Sequence, residues 1–326
     1  MKKNYYLAAM AMLALWGCSQ NEVTDVPESR QIKFDPFVGN NTRAVTPVTT
    51  DDLTKFYVFG TATNDDGSSY SMNFNNEVQS TAYYWQTGYK YNFAAYANGD
   101  DGKIDNATCK NDGTALTFAG YTPDDTKDLV AAFGTADASV SISTDPVALT
   151  FAHLLSQVKF TFSTTDGGSY RLGITNLEIK DAVHEADGVY TYGQSENTLA
   201  WTENSSIGNY EYSSITEIAN GTPKNDVKLV IPQGGTNDLQ VSFTATMTGA
   251  DLPAGGKTHD FTLNLPYTAG SASGTTSNTW TAGYIYNYKT TINLDNIDSE
   301  SKPITFTPTV TAWSDADDSD ITPVNS

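Results

Sequence analysis

The side chains that could do chemistry are few and scattered. Acids stand in adjacent pairs at Asp51-Asp52, Asp65-Asp66, Asp100-Asp101 and Asp124-Asp125, and a glycosidase needs two carboxylates facing each other across a cleft. Neighbours in Gly- and Asn-rich loops do not face each other in that way; there Asp serves turn geometry. Residues 98–106, NGDDGKIDN, carry enough oxygen to hold calcium but lack the spacing and closing Glu of an EF-hand loop, so a solvated turn is expected. The three histidines, His153, His184 and His259, sit in unrelated contexts with no other ligand at metal spacing. His153, inside an apolar run, is expected to be structural. No Ser/His/Asp grouping, P-loop or dinucleotide fingerprint stands out. The chain therefore reads as a non-enzyme with no metal and no cofactor. The aromatics of AYYWQTGYKY, residues 82–91, suit sugar stacking and a sandwich core equally well.

Two further residues have chemistry that would be done to them. Lys2 and Lys3 precede an apolar stretch from Tyr5 to Trp16, then Gly17 and Cys18. A bilayer-spanning helix needs roughly 20 apolar residues, so this shorter run with a charged start describes an export signal. Leu15-Trp16-Gly17-Cys18 resembles the bacterial lipobox, in which cleavage before the cysteine leaves its sulfur and amino group to carry acyl chains. Several such chains hold a protein firmly on a membrane. A plain secretory signal cut elsewhere, with Cys18 a bystander, is the other reading. Cys109, the second of two cysteines, then has no intramolecular partner and is either a bystander or an intermolecular bridge. Arg43 sits in GNNTRAVTP, where the glycine, asparagines and proline predict an exposed loop of the kind proteases nick.

The elements that must position these residues read almost wholly as strands. In DLQVSFTATMTG, Leu239, Val241, Phe243, Ala245 and Met247 alternate with polar residues, the period of a half-buried strand. The same alternation runs through Val158, Phe160, Phe162; through Phe261, Leu263, Leu265; and through Tyr284, Tyr286, Tyr288 to Ile292 and Leu294. Five Asp-Gly dipeptides, at Asp66, Asp101, Asp112, Asp166 and Asp187, are hairpin signals. Many short strands and no long helical period point to β-sandwiches. In RLGITNLEIK the apolar phase shifts between Ile174 and Leu177, which predicts a bulge near Thr175 and Asn176. The 326 residues suffice for two domains, with a boundary expected near Pro146. A net charge of -20 excludes an ordinary nucleic-acid partner, which needs a basic surface.

The order of a lipobox at Cys18, IKFDPF, Thr42-Arg43-Ala44, FAHLLSQVKF, WTAGYIYNYKTTINL and ITFTPTVTAWSD resembles the fimbrillin family of Bacteroides-type outer membranes. The resemblance spans nearly the whole chain and implies an all-β protein with two transthyretin-like β-sandwich domains in tandem. It implies a structural subunit of a cell-surface fimbria, as stalk, tip or anchor. Such a subunit is exported as an outer-membrane lipoprotein, partnered by other fimbrial subunits and a surface ligand, and cut by an arginine-directed protease before assembly by strand exchange. Arg43 matches the cut position, with Ala44 the new amino terminus. On this reading residues 1–17 are the signal peptide, 18–43 a propeptide with a removable strand, 44–146 the N-terminal domain and 147–326 the C-terminal domain.

The residues expected to take part in the exchange are Ile32, Phe34 and Phe37 in QIKFDPFV, and Ile304, Phe306, Val310 and Trp313 in PITFTPTVTAW. Pro36 and Pro308 cannot donate to a ladder and so mark edges. Losing the first segment would bare a groove and unpaired backbone, and the second is a plausible filler. Both could instead be ordinary edge strands of one subunit. A surface module that is lipid-anchored, binds glycans and does not polymerise is the alternative function.

Overall fold

The computed structural model describes residues 30–38, 53–64, 66–67, 69–99, 102–142, 145–204, 206–235, 238–267, 275, 278–298 and 302–313. Among them the chain forms nineteen strands and one short helix, α1 (Leu294–Asp298). The protein is all-β.

The first sheet has the order β1 (Phe34–Val38), β8 (Val147–His153), β7 (Leu129–Ala138), β4 (Tyr89–Asn98), β2 (Tyr57–Asn64) and β3 (Ser69–Val78). Side chains alternate across it, and both faces are covered. Val58, Phe93, Val130, Leu149 and Phe151 enter one core with Phe56, Phe74 and Trp85. Tyr57, Phe59, Tyr96, Leu129 and Ala131 enter another. Strands buried on both faces read as continuous apolar runs rather than alternating ones, which is why YVFGTA shows no period.

The second sheet, β12 (Thr198–Glu203), β11 (Ala186–Thr191), β6 (Ala115–Tyr121) and β5 (Ala107–Cys109), packs on that second core through Leu116, Phe118, Tyr121 and Tyr190. The third is β15 (Lys224–Val230), β9 (Ser156–Ser163), β18 (Tyr284–Thr291) and β19 (Thr307–Ala312). The fourth is β13 (Ile207–Glu211), β10 (Arg171–Val183), β16 (Leu239–Thr248) and β17 (Lys257–Leu265), with β14 (Ile215–Ile218) also on β10. The third and fourth sheets enclose a core of Val158, Phe160, Phe162, Ile174, Phe243, Met247, Tyr286 and Tyr288. These are the inward members of the alternating runs. Each large side chain withdrawn from water contributes about 1.5–3 kcal/mol.

Local details follow the chain chemistry. The register of β10 on β16 shifts between Thr175 and Glu178, and Asn176 has φ 53°, so the bulge falls where the apolar phase breaks. Gly67 and Gly113, after Asp66 and Asp112, take positive φ as hairpin turns require. Asp187-Gly188 is different: it lies within β11, not in a turn. A Cβ at Gly188 would come 2.6 Å from the Trp201 ring, and Asp187 instead accepts hydrogen bonds from Gly120 N at 2.7 Å and Asn204 Nδ2 at 2.8 Å. The glycine is there for close packing.

Strand membership bears on where a domain boundary would fall. β8 belongs to the first sheet and β9 to the third, with Leu154 and Leu155 between them. The point expected near Pro146 lies one strand earlier. β11 and β12 also return from beyond β10 to pair with β6, so no single cut separates the sheets.

Candidate functional site

The terminal strands are the region where sequence and geometry converge. β1 runs parallel to β8, with Phe34 opposite Val147, Pro36 opposite Leu149 and Val38 opposite Phe151. It is the edge of the first sheet, where Pro36 leaves no inner ladder short of a donor. Just before it, Ile32 N donates to Tyr83 O at 2.7 Å and Trp85 N to Arg30 O at 2.9 Å. Ile32 and Val38 are buried, and the half-buried Phe34 packs edge to face on Phe56, Phe74 and Phe93 at 6.0, 5.6 and 5.3 Å. Phe37, named with them as a residue of the exchange strand, points the other way and is 50% exposed. Period 2 requires this, because Phe37 is odd-numbered among inward positions 32, 34, 36 and 38.

The neighbouring strand is shaped for close approach. A Cβ on Gly134 in β7 would lie 2.8 Å from Val147 Cγ1 and 2.9 Å from Leu149 Cδ2. Glycine there lets β8 settle with Val147, Leu149 and Phe151 turned into the same core that β1 covers.

At the other end, β19 is the edge of the third sheet, antiparallel to β18 with Val310 opposite Tyr286. Ile304 is buried in its own chain's core and Phe306 packs there against Phe160 at 5.3 Å and Phe162 at 6.1 Å. The segment named as filler is thus engaged within its own subunit. Trp313 is fully buried in a separate core, next to the second sheet. Its N donates to Gly283 O at 2.9 Å, and its ring stacks on His153 at 4.1 Å and 18°. His153 Nδ1 lies 2.7 Å from Asp128 Oδ2. Both side chains are buried, so the contact is made away from water. His153 is therefore structural, and its buried partner Asp128 carries no sequence signal beyond lying near an apolar run.

Of the other candidate chemistry, Asp51, Asp52, Asp65, Asp100 and Asp101 lie outside the described residues, and the rest resolves into structure. Asp124 accepts from the Thr126 hydroxyl and backbone N–H, which with Lys127 hold its carboxyl below the usual range. Asp125 pairs with Lys228 on β15. Trp85 and Tyr91 of the aromatic stretch are buried with ring centroids 4.8 Å apart, and only Tyr84 of that group is substantially exposed. Cys109 is partly shielded, and burial first, then the Asp112 charge, pushes its thiol up to about 12. Among the described residues no three His, Cys, Asp or Glu side chains gather as a metal site, and no helix is long and apolar enough to cross a membrane. Cys18, Arg43 and Ala44 lie outside the described residues.

These features define an all-β protein whose terminal strands, β1 and β19, each lie at the edge of a sheet. The chain belongs to the fimbrillin-like family, whose model matches residues 42–313. Membership supports a fimbrial subunit role at the cell surface. No curated protein matches by sequence. Among solved structures the chain is similar to a candidate cell adhesion protein from Bacteroides uniformis, with 16% identity, TM-score 0.46, and 88% of this chain and 100% of that one covered. It is also similar to the fimbrial anchor protein Mfa2 from Porphyromonas gingivalis, with 13% identity, TM-score 0.36, and 87% and 98% covered. A fimbrial assembly protein from Parabacteroides distasonis gives 12% identity, TM-score 0.39, and 86% and 98% covered.

Proposed function

We propose that this chain is a fimbrial subunit exported as a lipoprotein through Cys18, cut after Arg43, and joined to a neighbour by strand addition at the edge β1 occupies. The observation that carries the reading is the placement of β1. It is a short edge strand, inserted by Ile32, Phe34 and Val38, and a polar loop sequence containing Arg43 follows it.

While tethered, β1 competes at high effective concentration against any incoming strand. A cut after Arg43 leaves it held only by ladder bonds and its apolar contacts. Its departure exposes the β8 edge, with Val147, Leu149 and Phe151 lining the groove, and an incoming strand with apolar residues at every second position gains both. The chain has three arginines, Arg30, Arg43 and Arg171. Arg30 precedes β1 and Arg171 begins β10, so only a cut at Arg43 separates β1 from the rest. Ile304, Phe306 and Val310 have the spacing of a donor, but a donor role would require them to leave their own core, so the proposal places assembly at the acceptor edge. The proposal keeps a two-domain division, its boundary moved to Leu154–Leu155, with β11 and β12 reaching back across it to pair with β6.

Mass spectrometry of the protein from its native envelope tests the processing. The expected chain begins at Ala44, from a precursor acylated at Cys18. A surface form that keeps residues 30–38 covalently attached would overturn the assembly route.

A further inference from the structure

The face of the third sheet turned away from its core carries a pocket of about 490 Å³, apart from the β1 edge of the first sheet. Its floor is set by register. Asn225 on β15 pairs with Thr161 on β9, Thr161 with Lys289 on β18, and Lys289 with Thr307 on β19. At roughly 4.8 Å per strand this row is about 14 Å across. A second row places Lys159 opposite Asn287. Gly221 to Pro223 and Thr305 also line it.

The chemistry of the lining is uniform. It contains two lysines and no acid, in a chain with 38 acids and 18 bases. Lys289 is exposed and has no ion-pair partner among the described residues. The remainder is almost entirely hydroxyl and amide groups, already pre-set by contacts such as Thr161 Oγ1 to Asn287 Oδ1 at 2.8 Å and Ser163 Oγ with Thr291 Oγ1 at 2.8 Å. The volume lies within the range of organic-ligand pockets, about 300–1,000 Å³, and exceeds what one small inorganic anion would fill.

Three ligand classes can be compared. A peptide strand would add at a sheet edge, whereas β9 and β18 are interior strands whose backbones are paired on both sides. Nucleic acid is opposed by the chain's charge. A saccharide offers many hydroxyls that both donate and accept, matching Thr, Ser and Asn side chains, and acidic groups on it would meet the two ammonium groups. We propose that this pocket binds an acidic saccharide, with Lys159 and Lys289 meeting its carboxylates or sulfates and the hydroxyl and amide side chains meeting its ring hydroxyls. This rests on neither the cut at Arg43 nor the β1 edge, and it requires β19, with Thr305 and Thr307, to stay on its own sheet.

The test is isothermal titration of the folded full chain with a galacturonate hexamer, a heparin-derived hexasaccharide, maltohexaose and hexaglutamate. At least one acidic sugar should bind better than both maltohexaose and hexaglutamate. The better of the two identifies carboxylate or sulfate as the recognised group. Lys289→Gln and Lys159→Gln should together weaken it about tenfold or more, Thr307→Val more modestly, and the remote Lys180→Gln not at all, with near-UV circular dichroism unchanged throughout. The proposal is overturned by no binding of either acidic sugar at millimolar concentration, by equal binding of hexaglutamate, or by affinity unchanged in the double variant.

Discussion

Truncating Phe34 to alanine isolates the grip of β1 on the first sheet. Its ring is half-buried and meets three aromatic rings edge to face, at 6.0, 5.6 and 5.3 Å. Phe→Ala in a core costs about 3–5 kcal/mol, and partial exposure puts this site at the lower end, about 3 kcal/mol, the ring contacts included. For a cooperative unit of 150–250 residues that lowers Tm by roughly 6–12 °C. Phe37→Ala is the internal control, because the same side chain three residues on faces outward at 50% exposure and should cost within about 0.5 kcal/mol. Urea unfolding of both variants beside the parent, with equal m-values required, reads the difference. After a nick at Arg43, the fragment carrying Phe34→Ala should also leave faster. Equal costs for the two variants, or a neutral Phe34→Ala, would refute the inward placement of Phe34 and with it the idea of β1 as an apolar plug.

Other consequences are open to direct measurement. Asp128→Ala leaves His153 buried without its carboxylate partner under Trp313 and should destabilise by about 1–3 kcal/mol, read as a shift in the denaturant midpoint. Cys109, with its thiol pushed up to about 12 by burial, should resist alkylation at pH 8 until the protein is unfolded; rapid labelling of the folded protein would contradict its shielding. The carboxyls of Asp112, Asp124 and Asp187 are held below their usual range, Asp124 chiefly by Thr126 and Asp187 by Asn204 and Gly120 N. A depressed pKa contributes stability above the unfolded value that is lost as pH falls through the folded one. Stability should therefore decline modestly below about pH 4, and thermal melts from pH 7 to 3 would show it.

Strand identity was legible because side chains on a half-covered strand must alternate. Leu239 to Met247 and Tyr284 to Tyr288 lie as that period requires, and the bulge at Thr175 was visible as a break in it. β2 and β7 were harder, since both their faces are buried and the period disappears. The return of β11 to β6 was illegible for a different reason: pairing between distant strands depends on which covered faces meet, and no local pattern encodes that. Asp187-Gly188 carries a turn signal, yet the ring of Trp201 makes glycine necessary inside a strand. The polar pocket was hidden similarly. Lys159, Thr161 and Ser163 read as a solvated face, and only the register of four strands brings them beside Asn287, Lys289 and Thr307. Trp313 was singled out from the sequence, but its place beside His153 and Asp128 needed the fold.

The central claim is that β1 is a removable strand whose loss lets subunits join. The direct measurement is size-exclusion chromatography with light scattering before and after Arg-specific proteolysis, on the parent and on Arg43→Ala. Cut parent protein that sheds residues 30–38 should form concentration-dependent oligomers, and Arg43→Ala should stay monomeric under the same treatment. Cut protein that loses the fragment and remains monomeric at every concentration, or Arg43→Ala that assembles as readily as the parent, would contradict the account.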